Sequence, residues 1–220
     1  MVATAEVTLV KGGTLRSHAR RFAAHLTPWA IGGVFLAFVV ARAVLGPLRW
    51  GDLIVAAGFF AVEPLIEWAV HSWVLHARPW RFLGRTLELS AAKGHRKHHE
   101  DPLDLSLVFV PGWVLVFFAP AITAGLFLLL PRHLAATLLA SGAAALLAYE
   151  WTHYLIHTGY RPRSRYYRHL WRHHRLHHYR NEGYWFGVTT ALGDVALGTC
   201  PRGGDAPVSP TARTLGSPLR

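Results

Sequence analysis

Cysteine is nearly absent from this sequence, and charged residues are few. Cys200 is the sole cysteine among 220 residues, so neither an intramolecular disulfide nor a cysteine-based zinc site is possible. Charged residues make up only 16% of the chain, against 52% hydrophobic residues. Any metal site must therefore be built from histidine and carboxylate side chains.

Acidic residues are scarce beside basic ones, with 12 Asp+Glu against 23 Lys+Arg and a net charge of +11. Such an excess can indicate nucleic-acid binding. Here, however, the basic residues mostly flank uncharged apolar runs, as in the cytoplasmic loops of membrane proteins. We therefore expect a membrane protein with no nucleic-acid partner. The N-terminus shows no clear small-residue cleavage site, so we expect no cleaved signal peptide.

Long apolar runs predict four transmembrane helices. Phe22–Ala41, Leu105–Leu130 and Leu134–Tyr149 contain no Asp, Glu, Lys or Arg, and about 20 apolar residues suffice to cross the hydrocarbon layer. The third run should be bent or broken near Pro111 or Pro120. The predicted spans are about 22–45, 53–76, 105–130 and 134–157.

The predicted fold class is an all-α integral membrane protein whose four transmembrane helices carry a cytoplasmic, histidine-rich helical cap. Residues 1–21 should form a basic cytoplasmic N-terminus, and residues 22–199 the membrane-embedded domain. Residues 200–220 have the composition of a disordered tail.

Ten of the 15 histidines fall into four clusters with regular spacing. The clusters are HxxxxH, HxxHH, HxxxH and HxxHH, formed by His71 and His76; His95, His98 and His99; His153 and His157; and His174, His177 and His178. Residues three and four apart share a helix face, so each HxxHH cluster can aim three imidazoles at one point. The HxxxxH pair is about 140° apart on an ideal helix and converges only if the helix is distorted. Imidazole suits Fe, Zn and Cu, and ten ligands suit two metal ions.

Other residues near these clusters have open interpretations. His173 is an alternative ligand, because it forms a stripe with His169 and His177. Three acids close to the histidines could hydrogen-bond ligand imidazoles, or could instead pair with interfacial arginines: Glu63, Glu67 and Glu150. Four tryptophans could line a substrate channel, or form an interfacial aromatic belt: Trp68, Trp73, Trp151 and Trp185.

The order of the four clusters, with two spans between the second and third, resembles the fatty acid hydroxylase superfamily, which includes sterol desaturases, carotene hydroxylases and fatty acid 2-hydroxylases. The resemblance covers about Leu53 to Thr199. The segments Gly94–Asp104, GHRKHHEDPLD, and Phe186–Thr199, FGVTTALGDVALGT, are most similar to the fatty acid 2-hydroxylase branch. Asp194 matches an acid of that family, to which we assign no catalytic role.

The resemblance implies that the ten histidines bind metal and that no catalytic residue is needed beyond them. Zinc is not redox active, so we expect two iron ions, with zinc possible after purification, and O2 as the oxidant. No organic cofactor is expected in the chain. A cytochrome b5 domain, fused in some members, is not expected here, so a separate electron donor, cytochrome b5-like or a ferredoxin, should supply two electrons.

The predicted activity is hydroxylation of an unactivated C–H bond in a lipid acyl chain, most simply fatty acid 2-hydroxylation. A sterol or carotenoid hydroxylase or desaturase on the same scaffold is the enzymatic alternative, and a metal-binding membrane protein or transporter is the non-enzymatic one. The expected location is the bacterial inner membrane or, in a eukaryote, the endoplasmic reticulum.

Overall fold

The computed structural model describes residues 13–216 of the chain, and these residues are mainly helical. The helices and the two short strands are α1 (Leu15–Phe22), α2 (Leu26–Val44), α3 (Trp50–Ala69), β1 (Trp80–Phe82), β2 (Arg85–Leu87), α4 (Ser90–Glu100), α5 (Gly112–Leu129), α6 (Arg132–His157), α7 (Arg165–Tyr179) and α8 (Leu192–Ala196). A π-helical turn, Val70–Leu75, continues α3, and a 3-10 turn, Leu105–Leu107, precedes α5.

Within residues 13–216, four helices are long and apolar enough to cross a membrane, in agreement with the predicted number of spans. They are Leu26–Val44, Trp50–Leu75, Leu105–Leu129 and Arg132–His157. Their outward faces are apolar: α5 has no buried residue, and its Phe117 and Leu128 are 69% and 85% exposed. Side chains of this kind are stable only where hydrocarbon rather than water covers them.

The ends of the first and third spans differ from the predicted ones. The first begins at Leu26 rather than residue 22, because α1 ends at Phe22 and forms a separate short helix. The third is broken at Pro111, as expected for a residue that lacks a backbone N–H, and the α-helix starts at Gly112. Pro120, the other candidate for a break, lies within α5.

Helix α6 is the centre of the bundle and packs against α2, α3, α5 and α7. At its N-terminal end, Thr137 Oγ1 donates to Asp52 Oδ1 over 2.8 Å. The same carboxylate is paired with Arg42, whose Nε lies 2.8 Å from Oδ1. The end of α2 and the beginnings of α3 and α6 therefore meet at one end of the bundle, which places the ends of α3 and α6 at the other.

Helices α4, α7 and α8 form a cap at that second end, beside the antiparallel β1–β2 hairpin. Helix α8 packs closely on α3: a Cβ added at Gly193 would lie 2.3 Å from the Pro64 carbonyl oxygen.

The tail expected to be disordered packs on this cap as far as residue 216. Ala206, Ala212 and Leu215 are buried in it. Their small or apolar side chains are covered by the cap, which a composition-based expectation of disorder did not anticipate. Residues 217–220 lie outside the described residues, as do residues 1–12 of the predicted N-terminal segment.

The sidedness of the cap remains a prediction. Basic residues concentrate around the cap, between the second and third spans and after the fourth, so this side should be cytoplasmic. Reporter fusions at Thr199 and next to Arg132 should therefore report opposite sides of the membrane, with Thr199 inside. The same side for both fusions would contradict the four-span topology.

Candidate metal centre

The HxxxxH pair lies on the π-helical turn at the end of α3. The backbone N–H of His76 donates to the carbonyl of His71 over 3.1 Å, an i→i+5 bond. The wider turn brings residues five apart to the same side of the helix. The ring centroids of His71 and His76 lie 5.1 Å apart as a result, so the distortion that convergence requires is present.

The ten histidines come together as two groups of five. The first histidine group is His71, His76, His95, His99 and His177, and the second is His98, His153, His157, His174 and His178. Within each group the candidate ligand nitrogens all lie within 4.8 Å of one another. The groups adjoin, since the rings of His99 and His178 are 4.2 Å apart between centroids.

Each HxxHH cluster is divided between the two groups, instead of aiming at one point. In α4, the pair four residues apart, His95 and His99, faces the first group, and His98 faces the second. In α7, His174 and His178 face the second group and His177 the first. Residues four apart are nearly in line on a helix, whereas the third member lies to the side, so one helix can serve two neighbouring sites.

Buried nitrogens without hydrogen-bond partners point into both groups. Within the described part of the chain, such atoms include Nε2 of His76, His99, His153, His157 and His177, Nδ1 of His174 and His178, and both ring nitrogens of His98. Leaving one buried polar atom unsatisfied costs about 1–3 kcal/mol. A set of this size in so small a volume fits metal ligation, because a bound ion would satisfy these lone pairs together.

The second ring nitrogen of several histidines is hydrogen-bonded to a backbone carbonyl. Nδ1 of His153 is 3.0 Å from the Val108 oxygen, and Nδ1 of His177 is 2.7 Å from the Tyr184 oxygen. His71 bonds the Phe186 carbonyl in the same way. An N–H held by a carbonyl fixes the ring orientation and leaves the other nitrogen free to bind a metal.

Burial lowers the pKa of the cap histidines, and neighbouring imidazoles lower it further. The pKa of His99 falls to about 3, despite the opposing effect of its bond to the Ala212 carbonyl. The pKa values of five others are well below the ordinary value: His95, His98, His174, His177 and His178. These rings are neutral at physiological pH, which is the form that binds metal.

Glu67 and Glu150 accept hydrogen bonds from backbone segments rather than from the ligand imidazoles. Among the described residues, Glu67 accepts hydrogen bonds from the backbone and hydroxyl of Thr189 and from the Val188 N–H. Glu150 accepts from the Val110 N–H over 2.9 Å. The expected imidazole–carboxylate bonds are therefore replaced by imidazole–carbonyl bonds, and Glu67 acts on the segment that supplies the carbonyls. Glu63 is half-buried and has no hydrogen bond to a ligand histidine in the described chain.

Asp194 organises the segment 184–191, which we name the cap loop. Its carboxylate accepts from the Phe186 and Gly187 N–H groups at 2.9 and 2.7 Å, and from Thr199 Oγ1 at 2.6 Å. His173 Nε2 lies 2.9 Å from the same carboxylate, which places His173 outside both histidine groups and contradicts its role as an alternative ligand. The family resemblance singled out Asp194, but no local pattern in the sequence identifies the carbonyls that it positions.

The four tryptophans do not line one passage. Trp151 packs on Phe22, with ring centroids 5.1 Å apart, and Trp185 is buried with its Nε1 3.1 Å from the Pro201 oxygen. Trp68 and Trp73 do adjoin, at 5.6 Å between centroids, near the end of α3. Contact of any of these tryptophans with substrate stays a prediction.

Comparison with known proteins gives consistent matches over the same region. The family model described as fatty acid hydroxylase matches residues 56–199. The fatty acid 2-hydroxylase of Macaca fascicularis is 30% identical over 173 residues, which are 76% of this chain and 44% of that protein. The dihydroceramide fatty acyl 2-hydroxylase FAH2 of Arabidopsis thaliana is 30% identical over 149 residues, which are 68% of this chain and 61% of that protein.

A solved structure described as full-length Scs7p, with only the hydroxylase domain visible, has a similar fold. The TM-score is 0.67 at 26% identity, covering 83% of this chain and 69% of that one. The chain thus spans less than two thirds of the length of the first two curated relatives, and the match extends over all four histidine clusters.

Proposed function

The chain belongs to the fatty acid hydroxylase family, and from this premise we propose that it is a membrane-bound di-iron oxygenase that hydroxylates a lipid acyl chain. The names of its relatives favour carbon 2 of a fatty acyl group as the position. The reaction would consume O2 and two electrons from a separate donor, cytochrome b5-like or a ferredoxin.

The observation that carries the proposal is the pair of adjoining five-histidine groups at one end of an apolar bundle. Five neutral imidazoles would hold each ion. Iron in both sites would supply redox chemistry with O2 that zinc cannot supply. The side chains around these sites are buried, and this burial would exclude bulk water from the reacting carbon. Five of the histidines are fully buried: His98, His99, His174, His177 and His178.

The position of the groups also suits a lipid substrate. His71 and His153 lie near the ends of two spans, so an acyl chain lying among apolar helices could reach them without leaving the bilayer. Trp68 and Trp73 lie near the end of α3 that leads into the first histidine group, and they are available to contact such a chain. A transport function would require ligands nearer the middle of the spans.

The activity can be tested with purified protein in lipid. We expect a 2-hydroxy acyl product that carries the label when the reaction is run under 18O2 with iron-loaded protein, a reductant and an acyl-lipid substrate. Mass spectrometry of released fatty acids measures both the position and the label. An abundant, metal-loaded protein that yields no labelled hydroxyl group from acyl, sterol or carotenoid substrates would contradict the proposal.

Metal content provides an independent prediction. Gently purified wild-type protein should contain about two metal ions per chain, one for each histidine group, as measured by mass spectrometry of metals against amino-acid analysis. Zinc can replace iron after overproduction without changing this sum. A folded preparation that holds one ion, or none, would contradict the two-site arrangement.

A further inference from the structure

The segment 200–216, which we name the strap, crosses the cap after α8 and reaches α4. We propose that the strap is a positioning element for the first histidine group, in which the Ala212 carbonyl orients His99 and Arg213 holds the main chain around it. This inference rests on the proposed metal sites and assigns the strap a part in only one of them. The family match ends at residue 199, so the strap lies beyond it.

The central contact is between His99 and the strap main chain. His99 Nδ1 lies 2.7 Å from the Ala212 carbonyl oxygen, and both residues are buried. Because a carbonyl only accepts, Nδ1 must carry the proton, which leaves the lone pair on Nε2. That Nε2 is buried without a hydrogen-bond partner in the described chain and is available to a metal ion.

Arg213 holds the backbone of the same residue. Its Nε donates to the His99 carbonyl over 2.9 Å, and its guanidinium also bonds the Glu100 carbonyl. These are carbonyls of the last turn of α4, which have no partner within the helix, and a cation is favourable at this end of the helix dipole. The strap thus fixes His99 through both its ring and its main chain.

Contacts on both sides of Ala212 keep the strap in place. Before it, the Ser209 N–H donates to the Arg180 carbonyl over 2.8 Å, and Arg180 Nε donates to the Ala206 carbonyl over 2.9 Å. After it, Arg96 Nη1 donates to the Leu215 carbonyl over 2.6 Å. The Ala212 carbonyl is therefore a fixed acceptor rather than part of a loose tail.

The contacts are selective for one site. The strap forms hydrogen bonds to His99 of the first group and, within the described residues, to no histidine of the second group. The backbone carbonyls bonded to second-group rings in the described residues include those of Val108, which bonds His153, and Pro102, which bonds His157, and both are far from the strap in sequence. Loss of the strap should therefore loosen one metal ion and spare the other.

The test compares metal release from the wild-type protein, three full-length variants and one truncated form. Chains ending after Gly203 should retain about one of two ions. Arg213→Ala should release one ion to a chelator about 10–100-fold faster, as is typical for loss of an outer partner of a ligand, while the second ion leaves at the wild-type rate. Arg213→Lys should recover part of the loss, and Arg202→Ala, an exposed arginine of the same strap, should behave as wild type.

The outcomes separate this inference from the metal proposal itself. Wild-type protein that does not bind two ions would contradict the proposed metal sites themselves. Two ions in the wild type, with unchanged release from both the truncated chain and Arg213→Ala, would overturn the role of the strap, as would equal loss of both ions. If the truncated chain does not fold, circular dichroism will show it and Arg213→Ala decides alone. Cobalt substitution supplies an optical readout that does not depend on activity.

Discussion

Replacing His98 with alanine should abolish hydroxylation and lower the metal content to about one ion per chain. His98 is fully buried in the second histidine group, with ring centroids 4.4 Å from His157 and 4.7 Å from His178. Both of its ring nitrogens lack a hydrogen-bond partner within the described chain, so ligation is the role left to it. Removing it opens a coordination position that no neighbouring side chain can fill. His177→Ala should have the corresponding effect on the first group.

His133→Ala is the matched control. It lies at the opposite end of α6, about 30 Å from His153 along the helix axis, given 1.5 Å per residue. We expect hydroxy fatty acid content and metal content close to wild type, measured at equal protein abundance. Equal inactivity of His133→Ala and His98→Ala would show that the site is not confined to the cap. His18 is a poorer control, because it is buried against Tyr160.

Replacing Asp194 with asparagine should lower the free energy of unfolding by about 1–3 kcal/mol, the cost of leaving a buried hydrogen-bonding group without its partner. Burial alone would raise the pKa of Asp194, but hydrogen bonds from His173, Thr199 and the Gly187 N–H hold it below the ordinary value. A lowered pKa means that this stabilisation is present at neutral pH and is lost as the pH falls through the folded-state pKa. An asparagine amide would turn a donor toward N–H groups that need an acceptor.

The same substitution should also weaken the first histidine group. Asp194 binds the N–H groups of Phe186 and Gly187, and the cap loop supplies carbonyls to His71 and His177. Thermal unfolding in detergent and metal content measure the two effects. Asp205→Asn, an exposed acid in the strap, is the control. Wild-type unfolding and two retained ions in Asp194→Asn would contradict the positioning role of the cap loop.

The sequence predicts the helices and the histidines well because both depend on local composition and spacing. Uncharged runs of span length can only be membrane helices or buried cores, and four spaced histidine clusters are hard to explain otherwise. That the ten histidines separate into two groups of five, with each HxxHH divided, depends on how α4 and α7 sit between α3 and α6. Spacing within one helix carries no information about that arrangement.

The hydrogen-bond partners of the candidate ligand histidines were harder to predict from the sequence. Glu67 and Glu150 stand at helical spacing from histidines, which suggested direct hydrogen bonds, yet in the described chain they hold backbone segments instead. Backbone carbonyls such as that of Phe186 are present at every residue and leave no signature. Trp185 lies between Tyr184 and Phe186, whose carbonyls accept hydrogen bonds from His177 and His71, and it adopts φ 59°, a left-handed conformation that its residue type does not suggest.

The π-helical turn at 70–75 also determines how α3 is rotated about its own axis relative to the cap. An α-helix rotates about 100° per residue, so the extra residue in this turn offsets every side chain of α3 from the direction that an uninterrupted helix would give. Deleting Ser72 would restore regular winding and turn the face that carries Glu67 away from Thr189. The spacing of two histidines and the rotational setting of a helix 20 residues long are therefore a single constraint, and neither can change by one residue without the other.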